Sequence, residues 1–411
     1  MPTLPAINDL TQSEIRDVLT ARGEPAYRAT QISEWLYRRR VRSFDEMTNL
    51  PASLRGALAR EFSILRVEQV SEIVSPEDDT TKMVLGLPDG LAIESVFLPH
   101  RRGATLCVST QVGCAFRCRF CATGRGGLKR NLSAAEIVDQ VLFAKEKFAP
   151  GATGDSGEFA AEGKAAKGKA VKGKAVKEEL APDERPFSNI VLMGMGEPLA
   201  NYDNVVKAIE LLTKEVGIGS RRITISTAGV ADKIMKLADL PYEIGLAVSL
   251  NAPSDEVRRE IMPVAAKTPL GKLMNAVRCY VAKKGRIVTF EYVLIPGLND
   301  AARDAHALAS LTRDIPAKIN LIMLNPFPGS PYERAEDESA RRFMAILGSR
   351  AKKATLRKSL GSDILAGCGQ LGGQTLLGAA HRSGIRRAVT HKSVTRKSVT
   401  RKSDQGGPPV T

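Results

Sequence analysis

Residues 104–121 read ATLCVSTQVGCAFRCRFC, and this stretch decides the fold. It begins as an apolar strand and ends in three cysteines, Cys114, Cys118 and Cys121, which are separated by three and two residues. Thiolates are the usual protein ligands of iron–sulfur clusters. Three thiolates leave one iron of a four-iron cluster without a protein ligand, and an open coordination site is typical of catalysis. The stretch therefore predicts a strand that leads into a catalytic 4Fe–4S site.

Zinc and disulfide bonds are the alternatives for this triplet. A structural zinc site needs four ligands, but His100, the nearest histidine, precedes the triplet and no second Cys or His pair follows. Disulfides need an oxidising compartment, whereas the N-terminus MPTLPAINDLTQSEI lacks a basic-then-apolar signal pattern. The spacing thus favours the cluster over both.

Composition indicates a protein with an anionic partner. The 411 residues are 43% hydrophobic, and no apolar run approaches the ~18 residues that cross a membrane. We therefore expect a cytoplasmic protein with no membrane partner. The net charge is +15; residues 381–411 hold eight Lys or Arg and one Asp, so the rest of the chain is still basic. Nucleic acid is the expected partner, and a solvated basic surface is the alternative.

Residues 1–75 are predicted to be a helical accessory domain that binds RNA. Thr11 and Glu14 have the spacing of a capping box at the start of a helix. Residues 26–44, AYRATQISEWLYRRRVRSF, combine an apolar stripe that contains Trp35 with a run of arginines. A basic helix with an aromatic residue on its inner face suits RNA binding, although Trp35 could equally be ordinary core.

Residues 76–380 alternate between strands and helices. KMVLGL and LAIESVFL flank Pro88-Asp89-Gly90 and predict a β-hairpin. Five further apolar segments, separated by helical stretches, predict a parallel sheet that is open or partly closed as a barrel. The five segments are SNIVLMGMGEP, RITISTAG, EIGLAVSLNAP, VTFEYVLIPGLND and KINLIMLNPF. Small and polar residues end each strand, where such folds carry their functional site.

Two segments interrupt or follow this pattern. Residues 149–185 are rich in Ala, Gly and Lys, and their seven basic and seven acidic residues cancel, which predicts a flexible surface insertion. Residues 381–411 contain the repeat THKSVTRKSVTRKS and predict a disordered basic tail.

Several motifs together resemble one known family. GCAFRCRFC is similar to the cluster motif of radical S-adenosylmethionine enzymes. MGMGEPLANYDNV, RITISTAGV, LAVSLNAP, LNPFPGS and DILAGCGQL resemble the RNA adenine-C2 methyltransferases among them, over about residues 5–378. The resemblance implies a partial (βα)6 barrel with an N-terminal helical domain and a β-hairpin extension. It also implies a 4Fe–4S cluster, two S-adenosylmethionine molecules per turnover, 23S rRNA and tRNA as substrates, an electron donor such as flavodoxin, and a monomer.

The resemblance also implies which residues bind the cofactors. Cys114, Cys118 and Cys121 would hold the cluster. Residues at the ends of successive strands would bind S-adenosylmethionine: Gly196, Glu197, Ser226, Ser249, Leu250, Asn251 and Asn325. Taken singly, each of these fits an ordinary turn or cap, but their shared position favours a binding function. Asn251 stands where some relatives have His.

Three further residues would carry the methyl transfer in this family. Cys368 would receive a methyl group from one S-adenosylmethionine, and a radical derived from a second would abstract hydrogen from that group. Cys107 would then attack and release Cys368 from a covalent protein–RNA adduct, and Glu94 would take the adenine C2 proton. Glycines on both sides predict that Cys368 is open and mobile, whereas Cys107 could be a buried small residue. Glu94 lies in an apolar strand, which suits a general base.

Two other functions stay open. The related adenine-C8 methyltransferases, which confer antibiotic resistance, share both catalytic cysteines. A noncatalytic RNA-binding protein with a structural iron–sulfur cluster is the alternative from another class, and the open iron and Cys368 argue against it.

Overall fold

A ten-stranded sheet organises the molecule. The computed structural model describes residues 4–101, 103–149, 186–350 and 352–372. The strands are β1 (Glu68–Val74), β2 (Thr81–Gly86), β3 (Ala92–His100), β4 (Gly103–Cys107), β5 (Gln111–Gly113), β6 (Leu128–Asn131), β7 (Asn189–Leu192), β8 (Ile223–Thr227), β9 (Gly245–Ser249), β10 (Val288–Leu294), β11 (Ala317–Met323) and β12 (Ala354–Arg357). The helices are α1 (Gln12–Thr20), α2 (Arg28–Ser33), α3 (Ala52–Glu61), α4 (Ala122–Arg125), α5 (Ala134–Lys147), α6 (Tyr202–Lys214), α7 (Ala231–Ala238), α8 (Asp255–Ile261), α9 (Leu270–Lys284), α10 (Ala302–Leu311) and α11 (Asp337–Ser349).

The parallel part of the sheet has the order β4-β7-β8-β9-β10-β11-β12. Helices α5 to α11 connect its strands, so the α/β class and the partial barrel are confirmed. The sequence predicted these strands as far as β11 but not their order in the sheet, and β12 adds a seventh strand. Because β1 and β12 are its two edges, the sheet does not close within the described residues.

The hairpin extension is also confirmed. β1, β2 and β3 are antiparallel, and β3 joins the parallel sheet through β4. The prediction that residues 1–75 are helical is wrong for Glu68–Val74. This segment pairs as β1 with the buried strand β2, and backbone pairing at a sheet edge outweighs the weak helical preference of its sequence.

A buried ion pair fixes the N-terminal helices to the barrel. Arg66 donates from Nη1 to Asp139 Oδ1 of α5 at 3.1 Å, and the N–H of Val67 donates to Asp139 Oδ2 at 2.6 Å. The Arg66 guanidinium also binds the carbonyl oxygens of Leu36 and Val41. The chain from the α2 region is thereby held against the helix that follows the cysteine loop.

The predicted helix start at Thr11 is confirmed. Thr11 Oγ1 accepts from the N–H of Glu14, and the Glu14 carboxylate accepts from the N–H of Thr11. Trp35 is half-buried, its Nε1 donates to Asn49 Oδ1, and Arg39 stacks on its ring, so it lies at the domain surface.

No helix in the described ranges is long and apolar enough to cross a membrane. Nearly all of the predicted insertion 149–185 and all of the predicted tail 381–411 lie outside the described residues.

Candidate active site

The three predicted cluster ligands line one cavity. Cys114 follows β5, Cys121 precedes α4, and Cys118 lies in the turn between them. All three are free thiols that line a cavity of about 160 Å³. The loop is held by its own backbone, since the N–H of Cys114 donates to the Gly127 carbonyl and that of Cys121 donates to the Cys118 carbonyl, each at 3.1 Å.

A glycine allows this loop to pack closely. Gly113 has φ +78°, and a Cβ there would lie 1.9 Å from the carbonyl oxygen of Gly127. Any larger residue would push β5 away from β6, so the glycine that begins GCAFRCRFC fixes the entry of the chain into the cysteine loop.

The donor set fits an iron–sulfur cluster better than a single ion. Burial and the neighbouring thiols raise the pKa of Cys114 to about 12 and that of Cys118 well above its usual range. The three sulfurs would therefore lose their protons only beside a cationic group. No group of three or more His, Cys, Asp or Glu among the described residues is arranged to hold one metal ion. A cluster suits this spacing because each thiolate binds a different iron.

The end of β7 forms one wall of the cavity. Gly196 has φ +104°, and a Cβ there would lie 2.6 Å from Gln111 Cβ, so only glycine lets the two loops meet. Glu197 is buried in this wall, and its carboxylate accepts from the N–H groups of Leu199 and Ala228 at 3.0 and 2.8 Å. Burial raises the pKa of Glu197 to about 7, although these hydrogen bonds act to lower it. Thr227 is a third hydrogen-bond partner of this carboxylate, which keeps one lone pair for a donor in the cavity.

The other predicted cofactor residues meet at the same cavity, with one exception. Ser226, Ser249, Asn251 and Asn325 all line it. Leu250 does not: its side chain is fully buried, and its N–H and carbonyl bind Glu291 and Arg258.

Asn251 serves the fold as well as the cavity. It has φ +56°, a left-handed conformation that asparagine tolerates. Its Oδ1 accepts from the N–H of Val293 at 3.0 Å, and its Nδ2 contacts Met262 Sδ. The Asn251 side chain therefore ties together the ends of β9 and β10.

Two buried acceptors in the cavity have no partner among the described residues. Glu291 Oε1 accepts from Asn320 Nδ2 at 3.0 Å, but Glu291 Oε2 has no hydrogen bond. Asn325 donates from Nδ2 to the Cys368 carbonyl, but its Oδ1 also has none. Leaving such atoms unpaired costs about 1–3 kcal/mol each, so a bound molecule with hydroxyl or amine donors is expected there. The ribose and adenine groups of S-adenosylmethionine fit this requirement.

Cys368 lies between two cavities. It is exposed, and it lines both the cavity of the cysteine triplet and a second one of about 50 Å³. It is open, as predicted, but its loop is packed closely. The Gly369 carbonyl accepts from the N–H of Ala122 at 2.7 Å, and a Cβ on Gly369 would lie 2.9 Å from the Phe120 carbonyl oxygen. The flanking glycine serves close approach to the cysteine loop.

Cys107 lines the second cavity with Cys368. It is buried at the end of β4, opposite Val96 of β3. Burial, and after it the neighbouring Cys368, raises the pKa of Cys107 to about 12, while Arg357 opposes this shift. The two cysteines that are far apart in sequence thus share one cavity.

Glu94 lies on the same face of β3 as Val96, two residues along the strand, and is fully buried. Its Oε2 accepts from the N–H of Gly372 at 2.7 Å. Glu94 lines neither cavity, so in this conformation it anchors the end of the Cys368 loop.

Sequence reasoning missed Arg357 and Glu291. Arg357 ends β12, lines both cavities, and has a raised pKa that is due first to Cys368. The sequence pattern that could have identified Arg357 is the short segment ATLR, residues 354–357, which follows a helix and forms a strand. Glu291 lies in VTFEYVL, and an acidic residue in an apolar strand is the same signal that identified Glu94.

Comparison with known proteins agrees with this geometry. Residues 6–64 match the family model of the ribosomal RNA large subunit methyltransferase N-terminal domain. Residues 163–309 match that of the radical SAM superfamily. Membership of this superfamily implies a 4Fe–4S cluster and S-adenosylmethionine, which the cavity fits.

Relatives match most of the chain. The probable dual-specificity RNA methyltransferase RlmN of Dictyoglomus thermophilum is 43% identical over 87% of this chain and 94% of its own length. That of Geobacillus kaustophilus is 41% identical over 90% and 93%. The crystal structure of a radical SAM methyltransferase from Sphaerobacter thermophilus superposes with a TM-score of 0.77 and 41% identity, and covers 90% of this chain and 99% of that one. This chain therefore belongs to the RlmN family of radical SAM methyltransferases.

Proposed function

We propose that the protein methylates C2 of an adenine in 23S rRNA and in tRNA, through a methylated cysteine and a covalent protein–RNA intermediate. The observation that carries this proposal is the position of Cys368, which lines both the cavity of the cysteine triplet and the cavity of Cys107. A thiol in that position can receive a group on one side and be attacked on the other. The names of the relatives support RNA of two kinds as the substrate.

Cys114, Cys118 and Cys121 would hold the cluster. When bound, the cluster and two successive S-adenosylmethionine molecules supply the methyl group and the one-electron chemistry. The cofactor would be oriented by residues that meet at the large cavity. These residues are Gly196, Glu197, Ser226, Ser249, Asn251 and Asn325.

The remaining steps belong to three residues of this chain. Cys368 Sγ would lose its proton and accept the methyl group. The methyl carbon would then lose one hydrogen atom in the one-electron chemistry and join adenine C2, so that the RNA is held through Cys368. Glu94 would take the C2 proton, for which it must exchange its hydrogen bond to Gly372 for the substrate, while one electron returns to the cluster.

Cys107 Sγ would attack Cys368 Sγ to form a disulfide and break the bond from Cys368 Sγ to the methylene carbon, which takes a proton and leaves as the new methyl group of the RNA. The electron donor would then reduce the disulfide. The Arg357 guanidinium, which lines their shared cavity together with Lys358, favours the thiolate form of Cys107 against the effect of burial.

The wider assignments follow from charge and organisation. We propose residues 1–75 as an RNA-binding accessory domain, residues 76–380 as the catalytic barrel, and residues 381–411 as a basic tail, with an insertion at 149–185. The net charge of +15 supports an RNA partner. We propose a cytoplasmic monomer reduced by a donor such as flavodoxin.

Nucleoside mass spectrometry of rRNA and tRNA from a deletion strain tests this function. Loss of 2-methyladenosine from both RNAs, restored by the gene, is expected. Loss of 8-methyladenosine would instead establish the C8 reaction. Unchanged methylation, together with no S-adenosylmethionine cleavage by the reduced, reconstituted protein, would indicate a noncatalytic RNA-binding protein.

A further inference from the structure

Arg258 is a buried cation with no ion-pair partner among the residues that the structure describes. It lies on α8 and is fully buried, yet its guanidinium binds only carbonyl oxygens: Leu250 at 2.9 Å, Ala228 at 3.1 Å and Thr268 at 3.4 Å. Asp255 is the carboxylate whose charge acts on it most, but Asp255 Oδ1 accepts from the N–H of Leu270. In the described parts of the chain, no carboxylate lies within 4.0 Å of Arg258.

This cation stays charged at neutral pH. Burial lowers the pKa of Arg258 to about 10, which is still far above 7. An isolated buried charge is costly, and three neutral carbonyl groups compensate for it only in part. A hydrogen-bonding side chain without charge could tie the same loops together at a lower cost. The presence of a charged side chain at this buried position therefore calls for a functional explanation.

The helix that carries Arg258 packs against the cysteine loop. The Ile261 carbonyl at the end of α8 accepts from the N–H of Arg119, between two of the cysteines, at 2.9 Å. Cys118 and Phe120 pack against the apolar cluster formed by Ile261, Met262 and their neighbours. This interior is of low polarity, so charges on its two sides interact strongly.

Arg258 also reaches the cavity through the backbone. It binds the carbonyl of Ala228, a residue that lines the cavity with the three cysteines, while the N–H of Ala228 binds Glu197. The charges of Arg258 and Cys118 act on each other across this interior. A permanent positive charge thus faces the cluster site from the side of α8.

We propose that Arg258 is a positioning residue that raises the reduction potential of the iron–sulfur cluster. This inference rests on the proposed ligation by Cys114, Cys118 and Cys121. Reduction adds one negative charge to a site that already holds three thiolates. A buried cation stabilises the reduced state more than the oxidised state, and net charge is a main determinant of cluster potentials. Arg258 would thereby make the cluster reducible by a cellular donor.

The test is a redox titration of the cluster, followed by electron paramagnetic resonance, in the full-length protein. Arg258→Gln removes the charge, and Arg258→Lys keeps the charge while losing most of the hydrogen bonds. Arg259→Gln is the matched control, because Arg259 is the exposed neighbour on the same helix. We expect at least a tenfold fall in the reduction equilibrium constant for Arg258→Gln, about 59 mV for one electron. Arg258→Lys and Arg259→Gln should stay near wild type.

Two outcomes would overturn the inference. If Arg258→Gln holds the full iron and sulfide content and still has the wild-type reduction potential, the charge of Arg258 does not affect the cluster. An equal fall in Arg258→Lys would show that the hydrogen bonds, and not the charge, matter.

If Arg258→Gln does not fold or does not bind the cluster, a second variant tests the proposal. Asp255→Asn leaves Arg258 less compensated and should raise the potential; no rise would contradict the proposal. A wild-type protein that fails to hold a cluster through the three cysteines would refute the proposed ligation itself, which is a different result.

Discussion

At the scale of single residues, the chemistry that we propose depends on two cysteines that differ in exposure. Cys368 is exposed between the two cavities, whereas Cys107 is buried in one of them. A group acceptor has to be reached by a cofactor, while a thiol that acts late is better protected until it is needed. Their different surroundings therefore match the order in which we propose that they act.

Cys368→Ala should abolish the reaction at its first step. Neither the methylated protein nor the RNA product should form, because the acceptor sulfur is missing. Intact-protein mass spectrometry measures the methylated protein, and nucleoside analysis measures the RNA product. Product formation by this variant would exclude Cys368 as the methyl carrier.

Cys107→Ala should fail at the last step instead. RNA should remain covalently attached to the protein in up to stoichiometric amounts, since no thiol releases Cys368. Denaturing gel electrophoresis with labelled RNA detects the adduct. Normal product release would show that the assignment of Cys107 is wrong.

Glu197 should make the cofactor-free protein less stable as the pH rises. Its pKa is 4.5 in an unfolded chain and about 7 when buried, so its protonated form favours the folded state. This contribution is complete below pH 4.5 and is lost as the pH rises through 7, by about 3 kcal/mol in total. Denaturant unfolding from pH 4.5 to 7.5 should show the loss in the wild type and not in Glu197→Gln. If the unfolding free energy changed with pH in the same way in both proteins, the assignment of this effect to Glu197 would be wrong.

At the scale of elements, the Cys368 loop depends on contacts from both sides. The cysteine loop holds it through Ala122 and Thr123, which bind the carbonyls of Gly369 and Leu371. The hairpin extension holds it through Ser75 to Asp363, Lys82 to the Leu365 carbonyl, and Glu94 to the Gly372 N–H. The extension β1–β3 thus positions the loop that contains Cys368, the methyl carrier that we propose.

Gly369→Ala should disturb this loop strongly. Gly369 has φ +87°, and the added Cβ would collide with the Phe120 carbonyl. We expect a fall of at least tenfold in Cys368 methylation. Gly271→Ala is the control, since nothing lies within 4 Å of its Cβ position in α9, and it should stabilise the protein by up to about 1 kcal/mol. Equal activity of the two variants would mean that the loop tolerates displacement.

Asp139→Ala should loosen the N-terminal helices from the barrel. It leaves the buried Arg66 guanidinium without its carboxylate, which costs about 3–5 kcal/mol of unfolding free energy. Asp232→Ala removes an exposed pair with Lys272 and should change stability by less than about 1 kcal/mol. Comparable midpoints in denaturant for both variants would count against a structural function of the buried pair.

At the scale of the whole molecule, the sequence predicted the parallel sheet because each strand is apolar and ends in small or polar residues. A capping box likewise predicted the start of α1, since its hydrogen bonds are local. It did not predict β1, whose pairing with β2 is decided by tertiary contacts, or the packing of the Cys368 loop. Arg357 escaped because its importance comes from Cys107 and Cys368, which only the folded chain brings to it.

Removal of residues 385–411 should leave kcat unchanged within about twofold. The segment holds basic residues and no proposed site residue, so its loss should only reduce the salt dependence of RNA binding. Turnover and binding at several salt concentrations measure both effects. A collapse of kcat would show that the tail takes part in catalysis.

The contacts between the Cys368 loop and α4 also impose an order in time. A ribosome makes the chain from its N-terminus, so Cys114, Cys118 and Cys121 emerge long before residues 361–372. Until that last described segment has been synthesised, the side of the cavity that it covers is open to incoming iron and sulfide. Afterwards, the same segment forms part of the cavity wall through Cys368 and Gly369. The cavity is therefore complete only when nearly all of the described chain has been made.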